Sequence, residues 1–76
     1  MSENKLMESA YVRWYINRVA EPNLAFANWM SKIEFKLKLK YGFNLLDLPD
    51  EDYMIYFESS YSPDMMVQVI SESNGF

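Results

Sequence analysis

Four acidic residues lie within six positions near the middle of the chain: Asp47, Asp50, Glu51 and Asp52. Carboxylates clustered in this way can bind a divalent cation, and the calcium-binding loop is the arrangement to test because Asp47 and Glu58 fit its first and last positions. The fit then fails, since Pro49 falls where a ligand is needed and Asp52 falls where glycine is needed. We therefore predict no metal site and assign the acids to the start of a helix, whose positive end stabilises negative charge.

The chain lacks the residues on which most acid–base and nucleophilic catalysis depends. It contains no histidine and no cysteine, so Ser59, Ser60 and Ser62 have no imidazole to activate them. Its two glycines, Gly42 and Gly75, cannot form a glycine-rich phosphate-binding loop. We predict that the protein is not an enzyme and that it binds no cofactor.

Basic and acidic residues are separated along the chain. All seven Lys and Arg residues lie within the first 40 positions, and the last 36 positions contain seven acids and no base. On a helix, Lys32, Lys36 and Lys40 would form one lysine ridge. This lysine ridge could bind nucleic-acid phosphates. Alternatively, its lysines could pair with the acidic half or face solvent. The net charge of −4 favours this alternative over nucleic-acid binding. A third interpretation is that the acidic half mimics nucleic acid.

The chain is rich in large apolar side chains for its size. It has thirteen aromatic residues and six methionines among 76 residues, and half of its composition is hydrophobic, which argues against disorder. A core this small cannot enclose all of these side chains, so we expect some of them at the surface. Charges throughout residues 1–20 argue against a signal peptide, and the uncharged stretch 22–31 is too short to span a bilayer. We expect a soluble, cytoplasmic protein.

The first segment, from about Glu3 to Ala20, has the length and pattern of a helix that Ser2 could cap. Its apolar residues cover more than half of the helical circumference; they include Met7, Ala10, Tyr11, Val12, Trp14, Tyr15 and Val19. A helix with so broad an apolar surface is either packed on several sides within its own domain or covered by another chain.

The second segment, from about Leu24 to Tyr41, fits two interpretations. Apolar residues alternate with polar ones from Ile33 to Phe43, which is the period of a strand. Apolar residues also form a helical stripe, at Phe26, Trp29, Met30, Ile33, Leu37 and Tyr41. Composition favours the helix, because Ile33 is the only β-branched residue of the segment. Asn23 can cap its start and Gly42 its end.

If the second segment is helical, a smaller set of apolar residues lies on the face opposite its stripe: Leu24, Phe35 and Leu39. Lys32 and Lys36 flank this outer apolar strip. The strip could pack on the first segment, or it could be a surface for a partner.

Two shorter helices are predicted in the acidic half. Asp47 is placed to cap the third segment, and Pro49 fits the first turn of that helix. The helix should end near Ser59. The fourth segment begins at Ser62-Pro63-Asp64 and ends at Asn74-Gly75. Its predicted apolar stripe consists of Met65, Met66, Val69 and Ile70.

One set of motifs occurs in order along the chain: Phe26-Ala27-Asn28-Trp29-Met30, Lys40-Tyr41-Gly42, Asp47-Leu48-Pro49-Asp50, Tyr53, Tyr56 and Ser62-Pro63. This set resembles a family of very small phage and mobile-element proteins of unknown function. The resemblance covers roughly residues 26–73 and leaves out the first segment. The chain departs from the family at Met65-Met66-Val67, where small alanines are usual, and at Ser59-Ser60, where glycine is expected. The resemblance implies an all-helical fold and a phage context, and it implies no activity.

The sequence thus predicts one all-α domain over residues 1–76, built from three or four short helices. The function we expect is that of a non-enzymatic protein-interaction module, a phage-encoded modulator or inhibitor of a host or defence protein. The alternatives are a small nucleic-acid-associated protein that uses the lysine ridge, and an acidic nucleic-acid mimic. Homodimerisation is compatible with all of them. The residues predicted to contact a partner are Tyr11, Trp14, Tyr15, Lys32, Phe35, Lys36 and Leu39.

Overall fold

The computed structural model describes residues 8–76, and this part of the chain contains four α-helices and no strand. The helices are α1 (Ala10–Arg18), α2 (Leu24–Tyr41), α3 (Tyr53–Glu58) and α4 (Pro63–Asn74), and a single 3-10 turn (Leu45–Asp47) lies between α2 and α3. The all-α prediction is confirmed. Within residues 8–76, none of the helices has both the length and the apolar character that crossing a bilayer requires.

Helix α2 is the longest element, and its ends are those expected from the sequence. The Asn23 side chain accepts a hydrogen bond from the Phe26 backbone N–H at 3.0 Å. At the other end, Gly42 adopts a left-handed conformation with a φ of 78°, which glycine tolerates without a Cβ clash. The helical interpretation of this segment is therefore confirmed, and the strand interpretation of 33–43 is wrong.

The predicted stripe of α2 forms the centre of the core. Its members from Phe26 to Leu37 are buried, and Tyr41 at the end of the helix is half-buried. Helices α1, α3 and α4 and the 3-10 turn all pack against α2. The Trp29 indole N–H also donates a 2.8 Å hydrogen bond to the Tyr61 carbonyl, which fixes the loop that precedes α4.

Helix α1 begins later than the sequence suggested. Ser9 caps it, since its hydroxyl accepts from the Val12 N–H at 3.0 Å, and residues 8 and 9 are not helical. The same buried hydroxyl donates to the Glu34 carboxylate of α2, so this cap also joins two helices. The predicted Ser2 cap lies outside the described residues.

The predicted start of the third segment is wrong. Asp47 lies inside the 3-10 turn, where its carboxylate accepts from the Asn44 side-chain amide at 3.2 Å, so it caps no helix. Pro49 disfavours a helical conformation in the preceding residue, and Leu48 is extended. Helix α3 consequently begins at Tyr53, and its end at Glu58 agrees with the prediction.

Helix α4 has the predicted caps but is rotated from the predicted stripe. Ser62 accepts from the Met65 N–H at 3.1 Å, and Gly75 closes the helix in a left-handed conformation. Val67 is buried, whereas Met65 is half exposed and Val69 is only partly buried. The neighbouring Asp64 makes an ion pair of 3.1 Å with Lys36 of α2, on an exposed surface.

The expectation that the core cannot enclose every aromatic side chain is confirmed. Five of the thirteen are buried, namely Tyr11, Tyr15, Phe26, Trp29 and Tyr53. Trp14, Phe35 and Phe43 are exposed, and the remaining five are half-buried around the core. The aromatic residues therefore supply both the core and part of the surface.

Two leucines of α2 provide a matched test of this packing. Leu37 is fully buried and Leu39 is 91% exposed. We expect Leu37→Ala to lower the free energy of unfolding by about 2–5 kcal/mol, because it leaves a cavity in the core. Leu39→Ala should change it by less than about 0.5 kcal/mol. Urea denaturation of both variants measures the difference, and equal effects would contradict the assigned helix orientation.

The two serine caps differ in their surroundings and allow a second comparison. Ser9→Ala removes the α1 cap and also the hydroxyl that faces Glu34, whereas Ser62→Ala removes only the exposed α4 cap. Loss of a helix cap lowers the free energy of unfolding by about 1 kcal/mol. Loss of the buried hydroxyl that donates to the Glu34 carboxylate lowers it further. We expect thermal denaturation to rank Ser9→Ala as clearly the less stable variant. The opposite order would rule out the link between α1 and α2 through Ser9.

Candidate functional site

An open groove of about 450 Å³ lies between α1 and residues 50–55. We call it the acidic groove, because residues 50–52 line one rim with three consecutive carboxylates. The α1 side carries Trp14 and Arg18, and Ile55 of α3 lies beside the carboxylates. Trp14 is 41% exposed and Ile55 is 60% exposed, so the groove offers apolar surface next to negative charge.

Buried tyrosines form the floor of the acidic groove. The Tyr11 ring lies 5.4 Å from the Trp14 ring and 6.0 Å from the Tyr53 ring, measured between centroids. Tyr15 lies beside Tyr11 on the same helix and accepts a 2.9 Å hydrogen bond from the Asn23 N–H. This bond ties the end of α1 to the start of α2 and holds the floor in place.

The acidic rim owes its exposure to the way in which α3 begins. Leu48 carries the chain out of the 3-10 turn in an extended conformation, and the Tyr53 N–H then donates to the Glu51 carbonyl at 2.8 Å. Asp52, which precedes α3, makes no side-chain capping bond. No Lys or Arg within residues 8–76 forms an ion pair with Asp50, Glu51 or Asp52. Their charges therefore remain directed at the groove and the solvent.

The electrostatic effect of the rim reaches the tyrosine hydroxyls. Burial raises the pKa of Tyr11 to about 12, with smaller contributions from Asp50 and Tyr15. Burial also raises the pKa of Tyr53, assisted by Tyr11, Asp50 and Glu51. Both phenols thus stay protonated at neutral pH and contribute hydrogen-bond donors rather than charge. A negative potential of this kind favours a cationic ligand group.

Trp14 stands between the acidic groove and a second cavity. The second cavity has a volume of about 240 Å³ and is lined by Leu45, Leu46 and Leu48 together with residues of the groove floor. On the groove side, the Arg18 guanidinium lies 5.1 Å from the centre of the Trp14 ring. The ring therefore already accepts a cation from its own helix.

The predicted contact residues fall on two separate surfaces. Tyr11, Trp14 and Tyr15 line the acidic groove, and the first and third of these are buried in its floor. The other four lie on the exposed outer face of α2: Lys32, Phe35, Lys36 and Leu39. The structure does not bring the two groups together, and their role in binding a partner stays a prediction.

The lysine ridge is partly engaged by other residues. Lys36 pairs with Asp64, as the interpretation of pairing with the acidic half requires, and the Lys40 ammonium lies 5.3 Å from the Tyr41 ring. The neighbouring Lys38 donates to the Asn44 side chain at 3.1 Å. Lys32 is exposed, and no ion pair or cation–π contact within residues 8–76 involves it.

Sequence reasoning missed the far wall of the groove. The sequence pattern assigns the acids at 50–52 to the start of a helix and gives Ile55 no role. The residue types offered no signal against this, because Pro49 fits the first turn of a helix. Within the described residues, no group of three acidic side chains is arranged to hold a metal ion.

Compared with models of known families, with curated proteins and with solved structures, the chain matches none of them. The phage resemblance accordingly stays a prediction.

The groove tyrosines should make the fold less stable in alkaline solution. The unfolded chain loses tyrosine protons near pH 10, whereas folded Tyr11 holds its proton until about pH 12. The contribution of Tyr11 to stability is therefore complete below pH 10 and is lost as the pH rises through its folded pKa. Urea denaturation across this window should show a smaller decline for Tyr11→Phe than for the wild type.

Tyr61→Phe is the control, because this ring lies in the loop before α4 and outside the acidic groove. It should follow the wild-type decline. Identical profiles for Tyr11→Phe and the wild type would show that Tyr11 is not the group responsible.

Proposed function

We propose that this protein is a small non-enzymatic interaction protein that binds and modulates another protein through the acidic groove. The observation that carries the proposal is the exposed apolar surface of Trp14 and Ile55 beside three carboxylates without ion-pair partners among residues 8–76. Aromatic side chains on a rigid support dominate interface energetics. Charges at the rim of an interface select partners of opposite sign and speed their association.

The chemistry of the acidic groove defines the class of partner. A basic segment with apolar neighbours fits it best, because its cation would face residues 50–52 while its apolar part covers Trp14 and Ile55. The position of Arg18 supports this choice, since a guanidinium already lies against the Trp14 ring. An arginine from a partner could take the same position.

An enzymatic role has less support. The chain has no histidine or cysteine, and the groove tyrosines hold their protons too tightly to exchange them near neutral pH. The carboxylates at the rim are exposed or partly exposed to solvent rather than enclosed.

The biological setting we propose follows from the resemblance to small phage proteins. A phage-encoded protein of this kind would act in the host cytoplasm, as a modulator or inhibitor of a host or defence protein. The second candidate is an acidic nucleic-acid mimic, favoured by the run of exposed and partly exposed carboxylates at 50–52. Nucleic-acid binding by the lysine ridge has less support, since Lys36 is engaged by Asp64.

Affinity capture from host lysate with matched variants tests the proposal. The groove variant combines Asp52→Lys with Ile55→Ser, two exposed positions on the far wall. The control variant combines Gln68→Ser with Glu72→Lys, two exposed positions of α4 that exchange a hydrogen bond of 3.0 Å. Both variants raise the net charge equally. We expect the groove variant to recover a wild-type partner at least about tenfold less well, and the control variant to recover it fully.

Equal recovery by the groove variant and the wild type, or the absence of any partner, would count against the proposal. Competition with DNA distinguishes the two candidates. Double-stranded DNA should displace the partner if the protein is a nucleic-acid mimic, and it should leave the complex intact if the groove binds a surface unrelated to DNA.

A further inference from the structure

The outer face of α2 is an apolar surface that no part of residues 8–76 covers. Leu39 is almost completely exposed, and Phe35 lies one helical turn before it on the same face. Contiguous exposed apolar side chains rimmed by polar residues mark interaction surfaces, and Phe35 and Leu39 form a small surface of this kind.

Positive charge borders these two side chains. Lys32 and Lys36 flank Phe35, and Lys40 follows Leu39, so the outer face combines an apolar centre with a basic margin. We call the set Lys32, Phe35, Lys36 and Leu39 the α2 strip. Lys36 is already paired with Asp64 of its own chain at 3.1 Å, so Lys32 and Lys40 supply the rest of the positive margin.

The acidic groove has the complementary arrangement. Trp14 and Ile55 give it an apolar centre, and the carboxylates of residues 50–52 give it a negative margin. The two surfaces share no residue. Because α1 and α3 pack on the inner side of α2 while the α2 strip faces outward, one chain cannot place its own strip in its own groove.

We infer that a second copy of this chain occupies the acidic groove, with its α2 strip seated between Trp14 and the carboxylates of residues 50–52. One copy supplies the strip and the other copy supplies the groove. Where two copies do not close on each other through both pairs of surfaces, the end copies keep a free groove and a free strip, so the association continues into a ring or an open chain. The surfaces are small, which places the contact among weak interfaces that form at high local concentration. This inference goes beyond the proposed function and involves no other protein.

Sedimentation velocity of the purified chain tests it. The weight-average mass should rise above the 9.1 kDa of one chain as the concentration increases from micromolar to millimolar, and added salt should reduce the rise. The strip variant, Lys32→Glu with Leu39→Ser, should stay at the mass of one chain, and so should the groove variant, Asp52→Lys with Ile55→Ser. The control variant, Gln68→Ser with Glu72→Lys, should associate like the wild type.

Mixing the two inactive variants gives the decisive result. The strip variant keeps an intact groove and the groove variant keeps an intact strip, so an equimolar mixture should form a pair of twice the mass of one chain. The pair should not grow further, because no complementary surfaces remain. A wild type that stays monomeric throughout, a mixture that forms no pair, or association of either variant alone would overturn the inference. None of these outcomes bears on capture of a different protein by the groove.

Discussion

The apolar stripe of α2 is the surface on which the other elements depend. Helix α3 has six residues and α1 has nine, and helices of this length are unstable in water unless tertiary packing supports them. Each packs against α2, which buries Met30, Ile33 and Leu37 completely. A chain of this size buries only about 60% of its unfolded surface, so it has no room for a second core. The inner face of α2 is consequently filled, and its outer face is left to solvent or to a partner.

The same constraint explains the form of the acidic groove. Helices α1 and α3 both pack against α2, and the Tyr11 and Tyr53 rings meet edge to face between them. Their contact closes the base of the groove and leaves its upper part open. Because a partner protein and a second copy would both use Trp14 and Ile55, only one of them can occupy a given groove at a time. Self-association would then keep the groove occupied until a partner with higher affinity displaces the second copy.

The structural features that could be predicted from the sequence are those that depend on residues close to one another in the chain. Asn23, Gly42, Ser62 and Gly75 act within one helical turn of their own positions, so the bounds of α2 and α4 could be predicted from the sequence. The start of α3 could not, because Asp47 and Pro49 fit a cap by type and only the 3-10 turn beside the core decides against it.

The candidate site was predicted in part for a similar reason. Trp14 and the outer face of α2 follow from helical periodicity, whereas the opposing wall at 50–55 depends on how the chain returns after α2. The burial of Tyr11 also depends on that return, since Tyr53 packs against it. Residue types alone do not distinguish such a tyrosine from one at an interface.

The unlike surroundings of the two tryptophans have a practical consequence. Trp29 is buried against Phe26 and Phe57 and donates its indole N–H to a backbone carbonyl, whereas Trp14 lies half in water at the edge of the groove. Indole fluorescence shifts with the polarity around the ring, so the emission of this chain has two components of different origin. One reports whether the chain is folded, and the other reports whether the groove is occupied. Trp14 fluorescence can therefore report ligand binding to the groove without an added label. The Trp14→Phe variant removes this emission and keeps that of Trp29.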